Sequence, residues 1–282
     1  MQRAFMKSPA KINLGLNILK KRDDGFHDIE SIMYQLGLTD TITFEKAAVL
    51  SLHSNEMSLT IEIENNLIIR AVRALEAKSG KTVTPEIELE KIIPMGAGLG
   101  GGSSNAAITL TALNELYELG IGEKDILEMA SSLGSDVPFF TKHTPAYATS
   151  RGEVLERFNF ILPYSVLLVN PGIHVATPWA YKNVIPAFPK HSLAGWVKSK
   201  SKNISELLPL LKNDFETPVF AAFPAIAAIK QTLLNNGAIF ALMSGSGSSV
   251  FALFDDPMVA KAAENLYQQK YFTYLEFPDL PL

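Results

Sequence analysis

The sequence predicts an α+β protein of two domains, on three observations. Strand-like segments with period-two alternation and helix-like segments follow one another along its 282 residues. Hydrophobic residues make up 47% and charged residues 19%, enough apolar material for a sizeable core. Past Phe158 the chain turns helix-rich and proline-punctuated, which puts a boundary there, with one domain over 1–158 and the other over 159–282.

The first strand shows its two faces. Ile12, Leu14, Leu16 and Ile18 alternate with Lys11, Asn13, Gly15 and Asn17, so one face enters a core and the other shows a lysine and two asparagines together. A turn follows at Asp23-Asp24-Gly25. Thr41–Glu45 and Leu59–Glu64 read as further strands. Asn65 and Asn66 offer N-caps for a helix to about Lys78, with Gly80 as its stop. Glu86–Ile93 alternates as a strand ended by Pro94. After a glycine loop, Ala106, Ala107, Leu110, Leu113, Leu116 and Tyr117 mark a helix closed by Gly120, and Glu123–Leu133 a second one, before the loop Gly134–Pro138. The second half begins with an apolar strand, Tyr164–Asn170. Helices run from Pro178 to about Asn236, then strands Ala238–Met243 and Val250–Phe254 flank a serine-glycine loop. A helix near Met258–Gln269 and a strand near Phe272–Glu276 close the chain.

The net charge of -4 gives none of the broad positive field that nucleic-acid binding needs. With no cysteines, disulfides, thiolate metal sites and cysteine nucleophiles are excluded. The N-terminal stretch lacks a signal-peptide pattern, and the apolar run Val219–Ile229 is broken by Pro224, so the expectation is a soluble, cytoplasmic protein with no membrane partner. The sequence leaves monomer or homodimer open.

The chemistry concentrates in Pro94-Met95-Gly96-Ala97-Gly98-Leu99-Gly100-Gly101-Gly102-Ser103-Ser104. Five glycines fall within the seven residues 96–102, so backbone N–H groups can converge on an anion, and the loop opens directly into a helix whose N-terminus adds unpaired N–H groups. Ser103 and Ser104 add hydroxyls that can donate or reach a metal ion. Gly96, Gly98 and Gly101 also match a dinucleotide fingerprint, but that pattern wants a following strand ending in an acidic residue, and here the next segments are helical. A Walker loop needs a lysine that is absent, and the partner motifs of protein kinases are missing. A second loop, Ser244-Gly245-Ser246-Gly247-Ser248-Ser249, is either a plain connection or a second wall of a phosphate or substrate site; two such loops favour a polyphosphate ligand.

These motifs carry a resemblance. Ser8–Leu16 (SPAKINLGL), Pro94–Ala107 (PMGAGLGGGSSNAA) and Leu242–Phe251 (LMSGSGSSVF) resemble the three motifs of the GHMP kinases, in order along the whole chain. Asp24-Gly25-Phe26-His27 and Leu133–Pro138 (LGSDVP) are similar to the branch of that family whose acceptor is 4-diphosphocytidyl-2-C-methyl-D-erythritol. The resemblance implies a ribosomal-protein-S5-domain-2-like ATP domain over 1–158 and a ferredoxin-like α/β sandwich on the substrate side over 159–282. It implies ATP as phosphoryl donor, Mg²⁺ bound mainly through ATP, and a small cytidyl diphosphate substrate of non-mevalonate isoprenoid biosynthesis. Homoserine or mevalonate kinase, or a non-catalytic nucleotide-binding relative, are the alternatives.

The resemblance also assigns roles. Asp136 is the general base and Lys11 its partner; alone, Asp136 reads equally as an N-cap and Lys11 as a surface charge. Asn66, Leu67 and Lys91, with the loop from Pro94 to Ser104, hold the nucleotide. Asn13, Phe26, His27, Thr177, Tyr181, Gly245 and Ser246 face the acceptor, with Phe26 and Tyr181 stacking on its base. Trp179 reads as core. The branch carries Tyr where this chain has Phe26 and Gly where it has Ser150.

Overall fold

The computed structural model describes residues 2–61, 63–200 and 202–278. Two long strands, β1 (Arg3–Lys21) and β2 (His27–Lys46), pair with each other and supply residues to both of the two packing units. Each unit is discontinuous in sequence. The first takes Met1–Ala10, Gly37–Ile93 and Gly100–His143, and the second Lys11–Leu36, Pro94–Leu99 and Thr144–Leu282. The packing therefore does not follow a single cut near Phe158.

In the first unit, β3 (Ser51–Ser54) leads into a short helix α1 (Ser58–Ile61), and α2 (Leu67–Ser79) is followed by β4 (Pro85–Glu90). β4 pairs antiparallel with the second half of β2, Thr41 opposite Glu90, and parallel with β3, Ser51 opposite Glu86. Two more helices, α3 (Gly101–Leu116) and α4 (Glu123–Leu133), complete the unit, with α3 packed on α2 and α4. The caps of α2 are those the sequence offers: Asn66 Oδ1 accepts from Ile68 N at 2.9 Å and Gly80 closes the helix in the left-handed region. The end of α3 differs. It stops at Leu116, with Glu118 already at φ 51°, before Gly120 is reached.

Leu59–Glu64 is not a strand. Its described residues form α1 and a 3-10 turn over Ile63–Asn65. Glu56 Oε1 accepts from Ser58 N at 3.3 Å and Thr60 Oγ1 donates to Met57 O at 2.9 Å, so side chains satisfy local backbone and fold the segment on itself. Ile61, the apolar residue a buried strand would tuck away, is exposed.

In the second unit, β5 (Ala146–Thr149) pairs with the first half of β2, Ser31 opposite Ala148, and with β6 (Val154–Arg157). β7 (Ser165–Asn170) starts the other sheet. The helical stretch comprises α5 (Thr177–Asn183), α6 (Leu193–Lys198), α7 (Ile204–Leu207), α8 (Glu216–Ala222) and α9 (Pro224–Asn235). β8 (Phe240–Met243), β9 (Val250–Phe254), α10 (Pro257–Asn265) and β10 (Phe272–Glu276) finish the fold. The sheet is antiparallel throughout, in the order β10-β7-β9-β8, with α9 and α10 packed on it. Its core joins Leu167, Val169, Val250 and Ala252 to Ile226, Ile229 and Ala260, and also to Leu16, Ile18 and Ile29 from β1 and β2. Trp179 packs on this core, edge-on to Phe223. The expected helix to Gln269 ends at Asn265. No single helix among the described residues is long and apolar enough to cross a membrane.

Candidate functional site

The glycine loop is built by alternation. Ala97 and Leu99 are buried anchors, while Gly96, Gly98 and Gly100 take φ of 60°, 77° and 70°, the left-handed region a side chain would strain. Gly100 is the N-cap of α3 and no side chain caps that helix, so the first-turn amides stay available to an anion. Gly102 is exposed and Ser103 half-buried on this turn. Leu67 Cδ1 lies 3.8 Å from where a Gly102 Cβ would stand.

Beneath the turn lies a buried polar network within the first unit. Asp40, fully buried, accepts from Lys91 Nζ, from Ile92 N at 2.8 Å, Ile93 N at 2.9 Å and Asn105 Nδ2 at 3.0 Å. Asn105 Nδ2 also donates to Ser8 Oγ, and Ser8 Oγ to Ser104 Oγ, each at 2.8 Å. Two expectations change here. The Ser104 hydroxyl is turned inward onto Ser8 instead of toward a phosphate or metal, and its N–H closes on Gly100 O at 2.9 Å. One residue along a helix is a rotation of about 100°, so Ser103 and Ser104 cannot face the same way. The Lys91 ammonium is bound to Asp40, 3.0 Å from a Gly101 Cβ position, instead of flanking a nucleotide from the surface. Burial pulls it below the usual lysine range, with Asp40 pulling the other way.

Asp136 heads a 3-10 turn over Val137–Thr141 whose Val137, Pro138, Phe139 and Phe140 are buried. Its carboxylate does not cap that turn; its carbonyl takes Phe139 N at 3.2 Å. The capping role that spacing alone allowed is thus not the one adopted. Asn66, by contrast, caps α2 and donates to Leu59 O at 3.2 Å.

In the second unit the three glycine and strand motifs meet. Lys11 N donates to Leu99 O at 2.9 Å and Ser249 N to Ala97 O at 3.2 Å. Ser244 Oγ donates to Gly98 O at 2.9 Å and accepts from Asn13 N at 3.4 Å. A Cβ on Gly98 would stand 2.0 Å from Ser244 O, and one on Gly245 3.0 Å from Gly98 Cα, so these loops touch backbone to backbone. The Ser244–Ser249 loop is therefore a wall of the glycine loop and more than a connection. Asn213, buried, fixes it by donating to Met243 O at 2.7 Å and Gly245 O at 2.8 Å. Ser246 and Thr177 share a hydroxyl hydrogen bond of 3.0 Å at the start of α5. His174 lies with Nδ1 2.9 Å from a Gly96 Cβ position. Lys11 is buried, not a surface charge, and donates from Nζ to Asn13 Oδ1, whose Nδ2 donates to Ser31 Oγ at 2.8 Å.

The aromatic end is arranged differently from the expected pair. Tyr181 stacks on His27, with ring centroids 5.0 Å apart at 26°, and meets Phe215 edge-on at 4.9 Å. Phe26 is half exposed and faces Arg151, whose Cζ stands 4.7 Å from its centroid. Burial and Lys21 hold the His27 imidazole below the usual histidine range, keeping it neutral at pH 7. Among the described residues, no three His, Cys, Asp or Glu side chains are grouped to hold a metal ion.

Asp40, Asn105, Asn213 and Arg151 escaped sequence reasoning. Asn105 sits inside the loop motif, but nothing in a one-dimensional pattern pairs Asp40 with Lys91 across 51 positions.

Comparison with known proteins gives consistent findings. The family profile described as GHMP kinases N terminal domain matches residues 66–143, and that described as GHMP kinases C terminal matches 193–272. A 4-diphosphocytidyl-2-C-methyl-D-erythritol kinase of Chlorobium phaeobacteroides (strain BS1) is 40% identical over 284 residues, covering 99% of this chain and 98% of its own. One of Parabacteroides distasonis is 42% identical over 250 residues, covering 88% and 90%. A crystal structure of a 4-(cytidine 5'-diphospho)-2C-methyl-D-erythritol kinase aligns with a TM-score of 0.81 at 31% identity, over 96% of this chain and 98% of that one. Homoserine kinase from Cytophaga hutchinsonii, at 16% identity and a TM-score of 0.68, shares the fold.

Proposed function

The chain belongs to the GHMP kinases, in their 4-diphosphocytidyl-2-C-methyl-D-erythritol kinase family, and we propose that it transfers the γ-phosphoryl group of ATP to the 2-hydroxyl of that cytidyl compound, releasing ADP. It is an ATP-dependent small-molecule kinase. The product is the 2-phosphate, an intermediate of the non-mevalonate route to isoprenoid precursors, and a cytoplasmic setting suits an enzyme that consumes ATP.

The observation that carries the reading is the uncapped N-terminus of α3, preceded by glycines in left-handed conformations. Its amides are fixed dipoles aimed at incoming phosphate, which suits phosphoryl transfer, where positioning and electrostatics supply most of the rate. Gly101, Gly102 and Ser103 hold the phosphates there, with Leu67 and Asn66 on the adenine side and Pro94 and Met95 at the loop entrance. A donor set of amides and one half-buried hydroxyl fits an anion that brings its own cation. Ser103 Oγ is the side-chain oxygen the loop would offer to a Mg²⁺ ion held mainly by ATP oxygens and water, and such an ion would neutralise phosphate charge.

Asp136 takes the proton of the attacking hydroxyl. Lys11 stabilises the oxygen being phosphorylated, and transfer is direct, with no phosphoenzyme. Phe26, His27 and Tyr181 receive the cytidine end. A neutral imidazole offers both a donor and an acceptor to a base edge. Asn13, Thr177, Gly245 and Ser246 line the acceptor side.

The test is Asp136→Asn, assayed by coupled ADP release with the cytidyl acceptor, homoserine, mevalonate and galactose. Wild type should turn over the cytidyl acceptor alone. The variant should lose about 100-fold or more in kcat while still binding ATP, the scale of a positioned base. Wild-type kcat in the variant removes Asp136 from the mechanism; turnover of another acceptor replaces the substrate.

A further inference from the structure

Two turns of the second unit are clasped together beside the exposed ring of Phe26. The Arg22 guanidinium ties the first turn to itself through Asp24 at 3.1 Å and Asp28 at 2.9 Å, and reaches Ser150 Oγ at 3.1 Å on the other. Ser150 O accepts Ile29 N at 2.7 Å, and Ser150 Oγ donates to Glu153 at 3.2 Å. Glu153 in turn accepts from Arg151 N at 2.8 Å and from Arg151 Nε at 3.3 Å. Burial would raise the Glu153 carboxyl, but its backbone hydrogen bond and Arg151 hold it below the usual carboxylate range. The carboxylate thus stays charged and fixes the rotation of the guanidinium.

The result is a guanidinium lying over Phe26 at 4.7 Å from the ring centroid, within cation–π range. Of the five donors of an arginine, only Nε–H is engaged, and the terminal amines make no hydrogen bond among the described residues. A planar fork held by its Nε side presents its outer edge, the geometry that grips phosphate oxygens in pairs.

We propose that Arg151 is a substrate-binding residue of this chain, whose terminal amines take the diphosphate of a pyrimidine nucleoside diphosphate while Phe26 beneath it takes the base. The proposal rests on the cytidyl-acceptor reading above. It gives the clasp a purpose: Arg22, Ser150 and Glu153 are positioning residues that hold the fork before substrate arrives, so little freedom remains to be lost on binding. It also accounts for Phe26. An aromatic ring without a hydroxyl loses nothing when a guanidinium covers one face, leaving the other for the base.

The test compares wild type with R151M and R151K by calorimetric titration of cytidine, cytidine 5'-diphosphate and ADP, and by KM for the cytidyl acceptor. R151M should weaken cytidine 5'-diphosphate about tenfold, equivalent to ~1.4 kcal/mol, raise the acceptor KM similarly, and change cytidine and ADP by less than about twofold. R151K keeps the charge but not the fork, and its affinity for cytidine 5'-diphosphate should fall between those of wild type and R151M. Equal weakening of cytidine and its diphosphate makes Arg151 only a prop for Phe26 and overturns the proposal. Weakening of ADP assigns the fork to the donor nucleotide and overturns it too, as does no change in any ligand. A wild-type enzyme that turns over the acceptor keeps the parent reading intact through all of these outcomes. Wild type that neither binds cytidine 5'-diphosphate nor uses the acceptor overturns both.

Discussion

Asp40 is the residue on which the glycine turn before α3 stands. It is fully buried, carries the Lys91 ion pair, and accepts two backbone N–H groups and the Asn105 amide. Asp40→Asn keeps the shape but leaves a buried ammonium without its counter-charge, a change that costs about 3–5 kcal/mol. Denaturant unfolding should show that loss, and Asp40→Asn combined with Lys91→Met should recover part of it. The pH dependence has a definite sign. Burial lowers the Lys91 pKa in the folded state, so the unfolded chain binds more protons between that depressed value and the ordinary lysine range. Stability of Asp40→Asn should therefore rise as pH rises through that window. A flat profile, or a loss no larger than for a surface aspartate, would reduce the network to decoration. Ser150 shows the same logic at smaller scale. It sits at φ 60° where the branch has glycine, and its hydroxyl bridges Arg22 and Glu153, hydrogen bonds glycine could not make.

At the scale of elements, what matters is how closely backbones approach. The glycine loop and the Ser244–Ser249 loop meet at Gly98 and Gly245, at distances that admit no side chain. Gly98→Ala would combine a Cβ 2.0 Å from Ser244 O with φ of 77°, a conformation that costs ~1–3 kcal/mol by itself. The loop must shift, so KM for ATP should rise more than tenfold in the coupled assay. Gly195→Ala is the contrast. Gly195 lies within α6 with nothing within 4 Å of a Cβ, and the change should leave KM for ATP alone while stabilising by about 0.5–1 kcal/mol. Equal behaviour of the two variants would refute the close-approach argument. The elements the sequence misjudged have physical reasons as well. The first half of β2 lacks the period-two alternation that marks a strand, because Ile29–Met33 is buried on both faces, including Glu30 and Ser31. Glu30 is a buried carboxylate holding Asn17 at 2.9 Å, Tyr147 at 2.9 Å and Ser192 at 2.6 Å, so a charged residue stands where a pattern reader expects an apolar one. In Leu59–Glu64 the apolar alternation was present, but local hydrogen bonds from Glu56, Ser58 and Thr60 decided for helix.

At the scale of the whole molecule, neither packing unit is a continuous stretch of chain. The core of the second unit draws Leu16, Ile18 and Ile29 from the first strands, and β1 is stitched to the segment after α7 by Leu16 N to Lys212 O at 2.7 Å and Asp214 N to Leu16 O at 3.0 Å. A fragment of residues 159–282 would keep the β10-β7-β9-β8 sheet but lose those core residues. Its thermal unfolding, followed by circular dichroism, should be broad and weakly cooperative beside the full chain. A transition as sharp as that of the intact protein would show that the boundary near Phe158 separates independently folding domains after all.

By itself the sequence determined what local pattern and composition can carry. It marked the alternating first strand, the capped helix after Asn66, the glycine loop opening a helix, and three motifs in family order, enough for the fold class and the class of chemistry. Those signals lie within a turn or two of the chain, where spacing maps directly onto geometry. The tertiary structure decided which side chains face which way and whom they meet. It turned Ser104 inward, bound Lys91 to Asp40, set the second loop against Gly98, stacked Tyr181 on His27, and laid Arg151 over Phe26. Most of these contacts join residues far apart in sequence, and their partners are chosen by packing and by the cost of leaving a buried polar group unmatched, which no short window of sequence encodes.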